Sequence, residues 1–305
     1  MTKSEFGNLL KTPLSEIICM ADRVRRENMP NKMELCSILN AKSGKCSEDC
    51  KFCAQSSRHK TGTPVYDLKN KDEMVSAAKT AIENGAKTFG IVTSGNSLKE
   101  DELNSINDAI KEIKIQLNIE VCASLGSLSF ENFIKLKQAG LFRYHHNIET
   151  SPSFYPKIVT THPIKERIDT IKAAKKAGLQ VCSGGIIGMG ETWQDRFDMA
   201  LLLKDLEVDS VPLNILMPIK GTPLADQAQI SCPDVIRTIA IFRIILKDKV
   251  IKVAAGRESA LKDFQAMAFM AGANGMLIGG YLTVNGRDVS DDKMLVKEIE
   301  TAWNQ

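Results

Sequence analysis

Residues 88–125 read TFGIVTSGNSLKEDELNSINDAIKEIKIQLNIEVCASL and hold a complete strand–helix–strand unit. Thr88–Thr93 is a short apolar run rich in β-branched residues. Glu100–Gln116 repeats Leu103, Ile106, Ile110 and Ile113 at helical spacing, and Ile119–Leu125 is a second β-rich run. Two strands joined through a helix pair in parallel by a right-handed crossover.

The same alternation extends in both directions. Candidate strands are Glu34–Asn40, Thr88–Thr93, Ile119–Leu125, Leu141–Glu149, Gln180–Gly188, Ser210–Met217, Ile251–Gly256 and Gly275–Gly280. Amphipathic stretches separate them. Lys71–Asn84 places Met74, Ala77, Ala78 and Ile82 on one face, and Lys165–Ala177 stops at Gly178. Gly85 and Gly140 close two further helices. Ser129 with Asn132, and Ser290-Asp291-Asp292, open others. Eight strands alternating with helices give an α/β fold, a (β/α)8 TIM-type barrel, with an open doubly wound sheet as the alternative. One extra helix, Ser15–Arg26, precedes the first strand. The expected organisation is a helical extension over 1–33 and a barrel domain over 34–305.

The composition is that of an ordinary globular chain: 305 residues, 43% apolar and 25% charged. Forty basic residues against 37 acidic ones leave a formal charge of +3, with no concentrated basic face for nucleic acid. No apolar run reaches the roughly eighteen residues that cross a bilayer, and the N-terminus lacks the apolar centre of a signal peptide. These features point to the cytoplasm, where thiols stay reduced. The eight cysteines are then candidates for metal or catalysis instead of a disulfide framework.

Functional groups of a barrel sit in the loops after its strands. The loop after the first strand carries Cys46-Ser-Glu-Asp-Cys50-Lys-Phe52-Cys53. Three thiolates at these spacings wrap three corners of a [4Fe-4S] cubane and leave the fourth iron open to chelate the amino and carboxylate groups of S-adenosylmethionine (SAM). Reduction of the sulfonium then releases methionine and a 5′-deoxyadenosyl radical, chemistry that the cofactor carries. The alternative is a Cys3His zinc site with His59 as its fourth ligand. The spacing, with Phe52 before the third cysteine, resembles the radical SAM superfamily.

Cys36, Cys122 and Cys182 fall in the first, third and fifth candidate strands, with Lys252 in the seventh. Inward residues of alternate barrel strands share layers, so these three thiols are a candidate second soft-metal site. Each alone also fits a small buried hydrophobe, the reading taken for Cys19 and Cys232.

Longer motifs in the same order resemble the biotin synthase family across most of the chain. They are Lys45–Arg58, Val121–Gly126 (VCASLG), His146–Pro152 (HNIETSP), Val181–Glu191 (VCSGGIIGMGE), Val211–Leu224 (VPLNILMPIKGTPL), Ala254–Glu258 (AAGRE) and Ala266–Asn274 (AMAFMAGAN). The resemblance implies a barrel enzyme, usually a homodimer, that inserts sulfur between two unactivated carbons of dethiobiotin. Such a sulfurtransferase uses two SAM molecules and no catalytic residue beyond its cofactors. It implies a SAM site of Phe52, Thr93, Ser94, Gly95, Asn147, Glu149 and Arg167, with Glu149 where Asp is usual. Asn147 and Asn214 match the positions that grip the ureido ring, and an amide offers the donor and acceptor that a cyclic urea needs. A flavodoxin or ferredoxin is the expected electron donor.

Departures from the family pattern are specific. Its common form holds a two-iron cluster with three cysteines and an arginine. Cys122 and Cys182 match two of them, but the strand-two position is Gly90, the arginine position is Lys252, and Cys36 stands where serine is usual. A remodelled auxiliary cluster is expected, four-iron with an open iron and an extra sulfide in preference to [2Fe-2S]. His145 replaces Asn. Val284 and Asn285, beside Thr283, replace a Thr pair near the substrate carboxylate. A related radical enzyme of mutase or hydrogenase-maturation type is the alternative enzyme reading, and a metal or redox sensor the non-enzyme one.

Overall fold

The computed structural model describes residues 1–283 and 286–305. Its strands are β1 (Glu34–Lys42), β2 (Thr88–Thr93), β3 (Glu120–Ser124), β4 (Arg143–His145), β5 (Gln180–Cys182), β6 (Gly185–Ile187), β7 (Ser210–Ile215), β8 (Val250–Val253) and β9 (Gly275–Leu277). They pair in parallel in the order β5-β4-β3-β2-β1-β9-β8-β7-β6, and a further β5–β7 pairing closes the ring. The barrel expected from the alternation is therefore present, with the open sheet excluded by that closure.

The expected fifth strand, Gln180–Gly188, is broken into β5 and β6. Both halves pair with β7 in one register, Cys182 opposite Ser210 and Gly185 opposite Leu213, so they serve as one of eight barrel strands. The break lies where β7 comes too close for a side chain: a Cβ on Gly184 would stand 1.9 Å from the Pro212 carbonyl oxygen. The expected fourth strand, Leu141–Glu149, keeps ladder geometry only over Arg143–His145. Beyond it, the Ile148 and Glu149 amides both donate to the Gly184 carbonyl, and Glu149 adopts φ 67°. That pinched path leaves the ladder and turns the chain into the barrel mouth.

Helices α1 (Lys3–Lys11), α2 (Leu14–Asn28), α3 (Lys71–Glu83), α4 (Glu100–Gln116), α5 (Phe130–Gln138), α6 (Ile164–Lys176), α7 (Trp193–Asp205) and α8 (Cys232–Leu246) precede three at the C-terminal end, α9 (Arg257–Leu261), α10 (Gln265–Met270) and α11 (Val289–Trp303). The expected stripe of α4 is buried throughout. On α3 the buried face is Met74, Val75, Ala78 and Ala81, and Ile82 is turned to solvent, contrary to the periodicity reading. The N-terminal segment is two helices and not one. A capping box of Thr2 and Glu5 starts α1. Phe6 stacks on Phe197 of α7 at 4.3 Å, and Arg237 of α8 donates to the Leu9 and Thr12 carbonyls at the end of α1. The last helix is capped by Asp288, not by the Ser-Asp-Asp run that follows it. Among the described residues, no helix is long and apolar enough to cross a membrane.

Charged residues stand inside the barrel as well. Glu34 of β1 accepts from Arg143 of β4 at 2.6 Å and pairs with Lys252 of β8 at 2.7 Å. Arg143 also donates to the Gln180 side-chain oxygen at 3.1 and 2.9 Å. Burial opposes ionisation of Glu34, but the two cations prevail and hold its carboxyl down to about 2. A carboxyl depressed on folding stabilises the fold above its unfolded value, near 4.5, and that contribution vanishes as pH falls through about 2. Glu34→Gln, which leaves two buried cations without a counter-charge, is expected to cost on the order of 3 kcal/mol at neutral pH. Urea unfolding of the metal-free protein at a series of pH values measures it. The variant should also lose part of the wild-type decline below pH 4.5, and an unchanged acid limb would contradict this.

Candidate active site

Two turns of backbone build the loop after β1. Gly44 and Lys45 adopt φ 75° and 53°, and a Cβ on Gly44 would meet the Val65 side chain at 2.7 Å. The loop closes on itself through the Cys46 amide to the Gln55 carbonyl at 3.2 Å and the Ser57 amide to the Cys46 carbonyl at 2.7 Å. It is then fastened to the segment before α6. Lys51 N–H donates to the Ile158 carbonyl at 3.0 Å, Asp49 accepts from the Thr160 and Thr161 amides, and Glu48 sits 2.7 Å from His162 Nδ1. Burial, opposed by backbone hydrogen bonds, pushes the Cys53 thiol up to about 11, and burial raises Cys50 further. Both thiols give up a proton when a metal takes them.

Cys46, Cys50 and Cys53 open onto one cavity of about 310 Å³ in the barrel mouth. His59 does not join them: its Nδ1 lies 2.9 Å from the Cys53 carbonyl oxygen, and the ring is not part of the cavity wall. Among the described residues, no three His, Cys, Asp or Glu side chains gather tightly enough to chelate a single ion. Thiols that share a multi-iron cluster stand further apart than the ligands of one zinc. The loop therefore suits a cluster and not the Cys3His zinc site.

Phe52, Thr93, Ser94, Gly95, Asn147, Glu149 and Arg167 line the same cavity. Ser94 is committed to structure, its amide donating to the Lys42 carbonyl and its hydroxyl to the Gly44 carbonyl. Gly95 turns there with φ 102°, and the Thr93 hydroxyl is buried without a partner. Arg167 of α6 donates to the Asn147 carbonyl and to Tyr155 Oη, both at 2.9 Å, and lies 3.7 Å from the Glu149 carboxylate. Burial pushes the Glu149 carboxyl above its usual range, and Arg167 works against it. A Cβ on Gly185 would stand 2.2 Å from the Glu149 carbonyl oxygen, so glycine at 185 lets this acid take its place.

Asn147 accepts from the Gly184 amide at 3.1 Å, and its NH2 is 3.5 Å from Glu149. Asn214 accepts from the Ala255 amide at 3.2 Å and donates to the Gly185 carbonyl at 3.4 Å. Each amide is thus oriented by the barrel with a donor and an acceptor site still unused. A second cavity of about 240 Å³ adjoins the first, sharing Phe52, Cys53 and Asn214 among its wall residues and adding Met217, Ile219, Tyr281 and Thr283. Val284 and Asn285 lie outside the described residues.

Cys36, Cys182, His145 and Lys252 also line the larger cavity. Cys122 is fully buried at their side. Its thiol is raised first by burial and then by Cys36, and Arg143, Lys252 and Cys182 are near enough to act on it too. Burial alone would discharge Lys252, but Cys36, Cys182 and Glu34 together raise its proton affinity. The strand cysteines expected to share a layer are therefore neighbours inside the barrel. Cys19 is exposed on α2, and Cys232 is half-buried in the first turn of α8, both away from the cavity.

The sequence reading placed Lys252 with the strand cysteines but missed Glu34 and Arg143 beside it, and the fastening of Glu48 and Asp49 to residues 160–162. The first was detectable as charge at strand positions two before Cys36 and two before His145, where the alternation points inward. The second joins segments more than a hundred residues apart and left no local signal.

Comparison with known proteins gives one answer. The radical SAM superfamily profile matches residues 41–203, and the Biotin and Thiamin Synthesis associated domain matches 212–301. A biotin synthase of Thermotoga neapolitana is 52% identical over 271 residues, 88% of this chain and 97% of the relative. One of Pelotomaculum thermopropionicum is 46% identical over 294 residues, 96% and 92% of the two chains. Among solved structures, methylornithine synthase superposes with a TM-score of 0.84 at 20% identity, covering 99% of this chain and 92% of its own. The FeFe-hydrogenase maturase of Carboxydothermus hydrogenoformans gives 0.82 at 17% identity, covering 98% and 75%. These two speak for the fold alone. With near-complete coverage at this identity, and with its loop and strand cysteines gathered in one barrel, the chain belongs to the biotin synthase family of radical SAM enzymes.

Proposed function

We propose that this protein converts dethiobiotin to biotin by radical insertion of sulfur. The observation that carries the reading is that cysteines of both sets, the loop thiols Cys46, Cys50 and Cys53 and the strand thiols Cys36 and Cys182, line one cavity with Asn147 and Asn214. Substrate held there lies between the two metal sites. When bound, the loop cluster and SAM supply a 5′-deoxyadenosyl radical able to take hydrogen from unactivated carbon.

The chain's own residues bind, orient and shield. Glu149 accepts from the ribose diol, in a place made by Gly185 and held by Arg167. Arg167 meets the methionine carboxylate. The methionine amino group, a donor, needs carbonyls, and the turn at Thr93–Gly95 supplies backbone for it. Phe52 and Cys53 line both cavities, so this end of the loop forms part of the wall between them. Asn147 and Asn214 face the ureido ring with their unused donor and acceptor sites, and His145 stands on the wall beside them. The smaller cavity suits the aliphatic tail, with Thr283 at its rim toward the carboxylate.

Cys36, Cys122 and Cys182 are read as ligands of an auxiliary cluster that donates the sulfur. Three thiolates without an arginine favour a four-iron cluster over [2Fe-2S], and the three would leave one iron without a cysteine, where the extra sulfide could enter. Lys252, held as an ammonium against Glu34, balances charge beside it and does not ligate. A flavodoxin or ferredoxin as electron donor, a homodimer as the assembly and the cytoplasm as the compartment complete the reading; the free cysteines suit a reducing compartment.

Anaerobic reconstitution with iron and sulfide, followed by reductant, SAM and dethiobiotin, tests the function by mass spectrometry. Biotin at about one per chain with about two 5′-deoxyadenosines each is expected; deoxyadenosine without biotin would keep the radical enzyme and discard the substrate. Cys36→Ala should lower bound iron from about eight to about four per chain and abolish biotin, while SAM cleavage continues. A variant that keeps its iron would remove Cys36 from the ligand set, and about six irons in the wild type would point to a two-iron auxiliary site.

A further inference from the structure

We propose that His145 is the fourth protein ligand of the auxiliary site, its imidazole taking the iron that no cysteine reaches. The proposal rests on the reading that Cys36, Cys122 and Cys182 hold a four-iron cluster, and it names the group that completes it. Three observations lead to it.

The first is position. β4 pairs with β5 so that His145 is opposite Cys182, and β2 pairs with β3 so that Gly90 is opposite Cys122. Paired residues of parallel strands send their side chains to the same face, so the imidazole is an immediate inward neighbour of a ligand thiol. The second is space. A Cβ on Gly90 would meet Ile38 Cγ2 at 3.1 Å and lie 3.6 Å from His145 Cε1 and 3.8 Å from its Nδ1, so Ile38 and the imidazole together take the room a longer side chain on β2 would need. The strand-two donor missing from this chain is thereby replaced by a donor from the fourth strand. The third is an unmet bonding requirement. His145 Nε2 is buried with no hydrogen-bond partner, on a side chain that lines the cavity together with Cys36 and Cys182. A buried polar atom left alone is costly, so such an atom calls for a partner outside the polypeptide.

The competing nitrogen is that of Lys252. Its ammonium lies 2.7 Å from Glu34 and, as an ammonium, has no lone pair to give. A neutral imidazole has one, and histidine is an established type of iron–sulfur ligand. Imidazole is also a displaceable ligand: when the extra sulfide arrives, one iron–nitrogen bond breaks, one iron–sulfur bond forms, and no electron is transferred.

The test uses the whole protein reconstituted with equal iron and sulfide, without SAM, and reduced. Electron–nuclear double resonance is recorded with ordinary and with nitrogen-15 histidine, in the wild type and in His145→Asn. The expected result is a nitrogen coupling that changes with the isotope in the wild type and is absent from the variant. With about eight irons per chain, a wild type without isotope-sensitive coupling, or a coupling that survives in His145→Asn, overturns the ligand and leaves the three-thiol cluster standing. About four irons per chain, with no coupling, overturns both. The isotope comparison needs no substitution, so it decides the matter even if the variant folds poorly.

Discussion

Inside the barrel a single carboxylate, Glu34, is shared between two cations, Arg143 at 2.6 Å and Lys252 at 2.7 Å. The group carries one net positive charge in a region that water scarcely reaches, and three thiols sit beside it. Thiolates are costly to create in such a place unless positive charge is already fixed nearby. Arg143 and Lys252 are raised in proton affinity by those thiols as well as by Glu34. The electrostatics thus run both ways, with the cations favouring deprotonated cysteines and the cysteines keeping the cations charged. Glu34 fixes the cations in position without cancelling their excess.

The rest of the site is arranged around that interior. The loop cysteines approach from the mouth on a segment stitched to residues 158–162, just ahead of α6, and α6 carries Arg167. One fastening therefore sets the loop against the helix that orients Asn147 and Glu149. The departure of the chain from the ladder after His145 has the same effect from the other side, because the turn at Glu149, held by the Ile148 and Glu149 amides on the Gly184 carbonyl, sets the Asn147 amide and the Glu149 carboxylate on the cavity wall.

Much of this was legible in the sequence because barrel strands obey a short period. Cys36, Cys122 and Cys182 could be grouped from strand parity before any coordinates, and they are neighbours in the structure. What the period could not show was where it fails. The split of the fifth strand at Ser183-Gly184 and the exit at His146 come from contacts with Pro212 and Gly184, residues of other strands. Helix α1 was missed because nine residues with only Phe6 and Leu9 buried give a weak apolar face, and its docking depends on Phe197 and Arg237 far along the chain. The turned face of α3 has a similar origin: Val75 and Ala81 fit against the barrel, so Ile82 is left outside. The His59 zinc alternative could not be dismissed from spacing, since the sequence does not say that its ring is engaged with the Cys53 carbonyl.

The central claim is that the thiol-lined interior holds the sulfur that enters product. It is tested most directly by building the clusters with isotopically heavy sulfide, removing the unbound excess, and running one turnover with unlabelled reagents. Biotin carrying the heavy isotope in about one molecule per chain is the expected result, with no biotin formed when Cys36 is replaced by Ala. Unlabelled biotin from fully labelled clusters would contradict the account and move the sulfur source outside the barrel.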